Sequence, residues 1–336
     1  MATTEGQLGD EVEADERQVG WRRAYKQLKR DTTARWGFYI VLLMTFLAIF
    51  SAVDANLARV TLGNAENYAI GQWLGRNVFF LDFMQHPERI PPPTELESYQ
   101  PPAFVEGGSW DHPLGTDQQG RDYLTRIIYG ARISMAVGFF ATFIGLAGGV
   151  IIGAVAGYYG GWVDHLFMRT VETVYAIPAL VLVIVFTVFV SGNDPDIIYA
   201  VFGVGIASIP VFARIIRSRV LSVREMDYID AARAAGVREW NIIMRHVVPN
   251  SFAPVLVYAT LQIGISVLIV AGLSFLGYGA QPPTPDWGEM LNYAHGQMHR
   301  NPWMSIWPGI AILLTVMGFN LFGDGLQDAL DPRIEN

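Results

Sequence analysis

The stretch Ile133–Tyr158, ISMAVGFFATFIGLAGGVIIGAVAGY, contains no aspartate, glutamate, lysine, arginine or histidine. An α-helix rises about 1.5 Å per residue, so roughly 20 apolar residues cross the hydrocarbon core of a bilayer. The stretch is therefore predicted to be a membrane-spanning helix. Every fourth position carries a glycine, which leaves one face of this helix without side chains and lets another helix approach closely. That helix could belong to this chain or to a partner; the glycines are Gly145, Gly149, Gly153, Gly157 and Gly161.

Five further stretches are as apolar as the first, and the composition of the chain agrees with a membrane protein. The 336 residues are 51% hydrophobic and 16% charged, whereas soluble domains carry about 25% charged residues. Because the bilayer interior cannot pair with free backbone groups, the predicted fold class is an all-α polytopic membrane protein with six transmembrane helices. The other predicted spans are Trp36–Val53, Val174–Val190, Ile197–Ala213, Phe252–Leu276 and Trp303–Phe322.

Basic residues predict the orientation of these spans. Arginines and lysines between Arg22 and Arg35 place the N-terminus in the cytoplasm, and six crossings return the C-terminus to the same side. The loop between the fourth and fifth spans agrees, because it is predicted cytoplasmic and holds seven arginines. The predicted organisation is a cytoplasmic tail (1–35), a first span (36–53), an extracytoplasmic loop (54–132), a five-helix core (133–325) with a cytoplasmic loop (214–250), and a cytoplasmic C-terminus (326–336).

The extracytoplasmic loop divides into two parts of different character. Its first part contains Pro91, Pro92, Pro93, Pro101 and Pro102, which favour irregular, extended backbone. The role of residues 61–110 stays open. The later segment GRDYLTRIIYGARIS, residues 120–134, has apolar residues at helical spacing. It is predicted to form an amphipathic helix that lies flat at the outer interface.

Several kinds of chemistry are excluded by the residues themselves. The chain has no cysteine, no P-loop and no HExxH or GxSxG motif, so neither ATP hydrolysis nor thiol or serine chemistry is expected of it. No metal site or cofactor is predicted in this chain. The net charge of −8 argues against a nucleic-acid partner. No predicted span holds a carboxylate or histidine for a proton relay, so energy for transport would come from another subunit.

The cytoplasmic segment EMDYIDAARAAGVREWNIIMRHVVPN, residues 225–250, interrupts the apolar pattern. Small or apolar residues at i, i+3, i+4 and i+7 form one nearly flat face of a short helix that ends at Gly236. A second amphipathic stretch, Glu239–Val248, then leads to Pro249. Such a face buries little area as core and suits docking into a groove on another protein, although a plain connector on the membrane surface is the alternative. The residues of the face are Tyr228, Ala231, Ala232 and Ala235.

The sequence Asp230-Ala231-Ala232, followed by Gly236 and by Pro249 thirteen positions later, resembles the EAA loop of the membrane subunits of ABC importers. Asp230 stands where that motif usually has glutamate. Three further segments are similar to the C-type permeases of dipeptide, oligopeptide and nickel importers, and together they cover most of the chain from His112 onward. They are HPLGTDQQGRDYLTRIIYGARIS (112–134), SFLGYGAQPPTPDWGEML (274–291) and FNLFGDGLQDALDPR (319–333).

This resemblance implies a type I ABC importer transmembrane fold in a prokaryotic inner or plasma membrane. It implies a second, B-type permease, two ATP-binding cassette ATPase subunits that bind ATP and Mg²⁺, and an extracytoplasmic substrate-binding protein. The substrate would be a di- or oligopeptide, with nickel complexes or oligosaccharides as alternatives. The residues implied in coupling to an ATPase are Tyr228, Asp230, Ala231, Ala232, Ala235 and Gly236.

Polar residues within the spans are the candidates for lining a translocation pathway. They are Gln262, Ser266, Ser274 and Asn320. Each could instead form an interhelical hydrogen bond, worth on the order of 1 kcal/mol. A membrane-embedded enzyme or a passive channel is the remote alternative to an importer, because no reactive constellation is evident and a channel needs no cytoplasmic docking loop.

Overall fold

The computed structural model describes residues 28–62, 98–192 and 196–330. Within these ranges the regular secondary structure consists of helices and one isolated β-bridge between Thr116 and Asp122. The tail before residue 28, the triplet Pro91–Pro93 and the last six residues lie outside the described part. The helices are α1 (Thr32–Leu62), α2 (Tyr123–Tyr159), α3 (Gly161–Tyr175), α4 (Ala179–Ser191), α5 (Ile197–Val223), α6 (Asp227–Ala234), α7 (Glu239–Ile242), α8 (Val248–Ser251), α9 (Ala253–Phe275), α10 (Trp287–His295) and α11 (Trp303–Leu330), with a π-helical turn at Ile243–Val247.

Five helices, α1, α2, α5, α9 and α11, are long and apolar enough to cross a membrane. The predicted third span, Val174–Val190, is not one straight helix. It is divided between α3 and α4, which meet at an angle of 90°, so the count is six only if this bent pair is one span. Pro178 accounts for the break, because it lacks an amide hydrogen and disfavours helical backbone at the preceding residue. An average of hydropathy along the sequence cannot register such a bend.

Helix α2 also starts earlier than predicted. The flat interfacial helix expected over residues 120–134 is wrong, because Tyr123–Tyr159 form one continuous helix. The Asp122 side chain caps its first turn by accepting a hydrogen bond from the Thr125 amide at 2.7 Å. The early turns contain Arg126, which is buried and donates to Glu289 at 3.2 Å. Arg126 is therefore paired inside the protein and does not lie at a membrane surface.

The glycine face of α2 packs within this chain, on α5. A methyl group added at Gly149 would lie 2.9 Å from the Ala213 amide nitrogen and 3.0 Å from the Ile209 carbonyl oxygen. One added at Gly157 would lie 3.0 Å from the Arg217 carbonyl oxygen. Only glycine permits this backbone approach. Gly161 does not share in it, because it begins α3 and a methyl group there would meet nothing within 4 Å.

Residues 98–122 fold as a compact cap over one end of the helices. Tyr99 and Thr116 form backbone hydrogen bonds with Asp117 and Gln100 at 3.0 and 3.1 Å. Beneath the cap, Arg121 pairs with Asp117 at 2.6 Å, beside the Arg126–Glu289 pair. Burial raises the pKa of the Glu289 carboxyl to about 7, although the Arg126 guanidinium opposes the shift. Arg126 also lies 3.8 Å from the Asp117 carboxylate, so this one side chain links the cap to α2 and, through Glu289, to α10.

Candidate functional site

Helix α6, at the centre of the predicted docking segment, is short and sharply ended. Asp227 and Asp230 lie in its first turn, where carboxylates interact favourably with the helix dipole. Gly236 has a φ of 73°, and its amide donates to the Arg233 carbonyl at 2.9 Å. The next amide, of Val237, donates to Ala232 at 3.1 Å. The predicted helix end at Gly236 is confirmed, since these bonds require left-handed backbone there.

One side of α6 is fixed to the protein by Ile229, which the sequence analysis did not single out. Ile229 is fully buried in a cluster with Val223, Ile242, Ile243 and Val247. Ala232 is half-buried against this cluster. Tyr228, Asp230, Ala231 and Ala235 are exposed. The predicted alanine face is therefore divided: Ala232 helps to seat the helix, whereas Ala231 and Ala235 remain accessible to a partner.

The return segment after Gly236 supplies the floor on which α6 rests. Ile242, Ile243 and Val247 project from α7 and the π-helical turn into the buried cluster. The predicted amphipathic stretch Glu239–Val248 is confirmed as helical, but it is not a single α-helix. Pro249 follows the π-helical turn; because proline clashes with the carbonyl four residues earlier, a widened turn before it relieves the conflict.

Polar contacts tie the docking segment to the ends of two membrane helices. Tyr158, at the end of α2, donates a hydrogen bond to Glu239. The Arg233 guanidinium lies 5.3 Å from the centre of the Tyr158 ring. Arg224, just after α5, donates to the Gly157 carbonyl at 2.9 Å and so caps α2. These contacts join α6 and α7 to the ends of α2 and α5.

A cleft of about 460 Å³ opens between the α3–α4 bend, α5 and α9. Most of its wall is aliphatic. Its polar lining comes from Tyr175, Ser208, Tyr258 and Gln262. Tyr258 donates to the Gln262 side-chain oxygen at 2.9 Å, four residues along the same helix. The cleft has the size and character of a site for a small organic molecule.

The structure brings two of the four predicted pathway residues together, because the Gln262 amide nitrogen donates to the Ser266 hydroxyl at 3.3 Å. Gln262 lines the cleft. Ser266 is buried, 3.4 Å from the Thr142 hydroxyl, in an interhelical contact. Ser274 accepts a hydrogen bond from the Ala280 amide at 3.3 Å and supports the loop after α9. Asn320 is exposed on α11, away from the residues of the cleft.

Tyr258 and Ser208 were missed as cleft residues. Tyr258 could have been found from its position one turn before Gln262, whereas Ser208 is brought in by the packing of α5. Among the described residues, no group of three or more histidine or acidic side chains could hold a metal ion.

The family model described as "Binding-protein-dependent transport system inner membrane component" matches residues 149–336, which include α6, its floor and the cleft. The chain belongs to this family. The permease is therefore a multi-pass membrane component of a transport system, and its all-α fold is that of ABC importer transmembrane domains.

Curated relatives extend the match over nearly the whole permease. It is 38% identical to the dipeptide transport system permease protein DppC of Alkalihalophilus pseudofirmus, over 94% of this chain and 91% of the relative. It is 37% identical to the glutathione transport system permease protein GsiD of Escherichia coli O6:K15:H31, over 96% of this chain and 94% of the relative. GsiD of Pectobacterium atrosepticum is 43% identical over 69% of this chain and 76% of its own length.

A solved structure shares the fold of the permease. It is a chain of the MetNI methionine ABC transporter in inward-facing conformations, with a TM-score of 0.50 and 20% identity. The match covers 61% of the permease and 96% of that chain. At this identity the likeness concerns the fold alone.

Proposed function

We propose that the permease is the C-type subunit of an ATP-driven importer and that α6 docks into a groove on an ATPase subunit. The observation that carries this proposal is the division of α6 into two sides. Ile229 holds one side of the helix in the buried cluster, whereas the small side chains of Ala231 and Ala235 are exposed on another side. A helix that is held firmly yet exposes small residues suits insertion into a groove.

The importer would contain a second, B-type permease, two ATPase subunits that bind ATP and Mg²⁺, and an extracytoplasmic binding protein. The cleft beside α9 would form half of the translocation pathway, and the second permease would close its open side. Tyr258 donates to the Gln262 oxygen, and the Gln262 nitrogen donates to Ser266, so these polar groups are already paired within α9. A pathway with so few free polar groups suits a substrate that is selected mainly by the binding protein.

The proposed substrate is a small peptide. Relatives aligned over more than nine-tenths of this chain are named for dipeptide and glutathione transport. Uptake of a labelled dipeptide, a nickel complex and an oligosaccharide into cells expressing the whole transporter tests the choice. Peptide uptake is expected, and uptake of only the nickel complex or only the oligosaccharide would select one of those alternatives.

Both termini are proposed to be cytoplasmic, on the same side as α6. The seven arginines of the loop 214–250 support this orientation. A reporter that is active only outside the cytoplasm should be active when fused after Gly107 and silent when fused after Glu239. The reverse pattern at either position would contradict the orientation.

The docking assignment is tested by filling the exposed side of α6. Ala231→Trp should lower both ATPase co-purification and uptake, since overfilling a close-packed contact costs about 1–3 kcal/mol. Ala231→Ser is the matched control, because it keeps the residue small. Ala232→Trp is less informative, as Ala232 also packs on the buried cluster. Normal ATPase recovery and uptake with Ala231→Trp would refute docking through this side.

A further inference from the structure

Helix α3 is fastened to α5 by two contacts. Arg217 donates two parallel hydrogen bonds to the Asp164 carboxylate, each 2.5 Å long. The Arg214 guanidinium lies 3.9 Å from the centre of the Tyr175 ring. A bidentate arginine–carboxylate pair and a cation–π contact both fix orientation as well as distance.

The spacing of these contacts gives them mechanical significance. Asp164 and Tyr175 are eleven positions apart on α3, whereas Arg214 and Arg217 are three positions apart on α5. At about 1.5 Å per residue, both ends of α3, about 16 Å apart, are held by about one turn of α5. A displacement of that turn therefore acts on the whole length of α3.

A glycine pair marks one end of α3 and the cleft lies at the other. Gly160 precedes α3 and Gly161 begins it, with φ values of 65° and 55°, a conformation that other residues rarely adopt. Tyr175 is the last residue of α3, and it forms part of the cleft wall together with the break up to Pro178. Helix α3 thus connects a glycine joint at one end with the cleft at the other.

The same turn of α5 is close to the docking helix along the chain. Helix α5 ends at Val223 and α6 begins at Asp227. Val223 and Ile229 belong to one buried cluster, so the end of α5 and α6 pack as a unit. The contacts from Arg214 and Arg217 arise from the last three turns of α5, directly before this unit.

The geometry points to α3 as a lever that carries movement of α6 to the cleft. Asp164, Arg217 and Arg214 are its positioning residues, because they lie outside the cleft lining and make the α3–α4 bend follow α5. Tyr175 is held by Arg214 and also lines the cleft. When the docked α6 moves, α5 moves α3 about the glycine joint, and Tyr175 changes the shape of the cleft. This inference rests on the proposed docking of α6.

Charge reversal tests the lever in the complete transporter. Asp164→Arg and Arg217→Asp should each reduce peptide uptake per ATP hydrolysed about tenfold, since a charge-assisted hydrogen bond is lost in each. The double variant restores the pair in reverse and should recover the ratio to within about twofold. Where a reversed single variant fails to insert, Asp164→Asn gives the same test with an unchanged side-chain shape.

The matched control is the ion pair between Arg169 and Glu172 on the same helix. Their side chains are 82% and 55% exposed. Because the Glu172 charge also acts on Arg217, the control is reversal of Arg169 alone, which should leave the coupling ratio unchanged. At the other end, Tyr175→Leu should lower the ratio whereas Tyr175→Phe, which retains a ring face, should not.

A second readout reports on the cleft itself. Because the chain contains no cysteine, Ala179→Cys gives a unique thiol in the cleft wall on this chain. Its labelling rate by a maleimide should change between nucleotide-free and ATP-trapped transporter, and Asp164→Arg should abolish that change. ATPase co-purification should stay normal in all lever variants, which separates them from Ala231→Trp.

The outcomes distinguish the two proposals. Loss of coupling with the ATPase retained, and its recovery in the double variant, supports the lever. Normal coupling in both reversed single variants, or a double variant as defective as the singles, overturns the lever and leaves the docking proposal intact. Normal ATPase association in Ala231→Trp overturns the docking proposal instead.

Discussion

Truncation of Ile229 should detach α6 from its seat and weaken ATPase binding. Ile229 is fully buried in the cluster formed with Val223, Ile242, Ile243 and Val247. Ile229→Ala removes three carbon atoms at about 0.8 kcal/mol each. With the cavity left behind, the cost is about 3 kcal/mol. This lowers the ratio of seated to unseated α6 by a factor of about 100.

A graded series separates seating from a general loss of folding. Ile229→Val removes one carbon and should cost about 1 kcal/mol, so its defect should be intermediate. Membrane insertion should be normal in both variants, because Ile229 lies on α6, outside the spanning helices. ATPase co-purification and uptake should fall in the order wild type, Val, Ala. Full ATPase recovery and uptake with Ile229→Ala would refute the view that α6 must be seated to dock.

Three further predictions follow from the helix contacts and the cap. Gly149→Ala should lower the free energy of unfolding by about 1–3 kcal/mol, because the added methyl group overlaps α5. Gly272→Ala should not, because an added methyl group there meets nothing within 4 Å. Equal melting temperatures in the two variants would contradict the close α2–α5 packing. Gly236→Val should impair uptake, because a β-branched residue rarely adopts the φ of 73° that Gly236 has. Gly236→Asn should have a smaller effect, since asparagine tolerates left-handed backbone better. Equal uptake in the two variants would argue against a left-handed helix end. Burial raises the pKa of Glu289 to about 7, so its stabilising contribution is complete below the ordinary carboxyl pKa and is lost as pH rises through about 7. Melting temperatures should therefore fall from about pH 5 to about pH 8, and Glu289→Gln should reduce the fall. An unchanged pH profile in the variant would contradict a raised pKa.

Hydropathy predicted the long helices well and their ends poorly. The predicted limits of the fifth span are one residue from those of α9 at each end, but α2 and α5 extend about ten residues beyond their apolar stretches. At one end of α2 the apolar stretch stops at Arg132, and Arg126 lies before it. The charge of Arg126 looks exposed in sequence but is paired with Glu289 in the fold. The contacts that neutralise such residues join positions far apart in the chain. Local sequence therefore cannot predict them.

The docking segment shows the same division between local and long-range information. The helix and its end at Gly236 are local features, and the sequence predicted them correctly, whereas the predicted alanine face is divided in the structure. Ile229 looked like one apolar residue among many, and only the cluster with Ile242 and Val247 identifies it as the anchor. The pair Arg217–Asp164 spans 53 positions, beyond the reach of any periodicity. The glycine face predicted close packing but could not name α5 as its partner.

Cross-linking at α6 tests the central claim most directly. The chain has no cysteine, so Ala231→Cys introduces a single thiol on the exposed side of α6. In the purified transporter, a short thiol-reactive cross-linker should join this residue to an ATPase subunit, and a thiol at Glu106 in the cap should give no such product. Cross-linking of Ala231→Cys to the ATPase at high yield is the predicted result. A product absent at Ala231 while the ATPase remains bound would contradict the assignment of α6 as the docking helix.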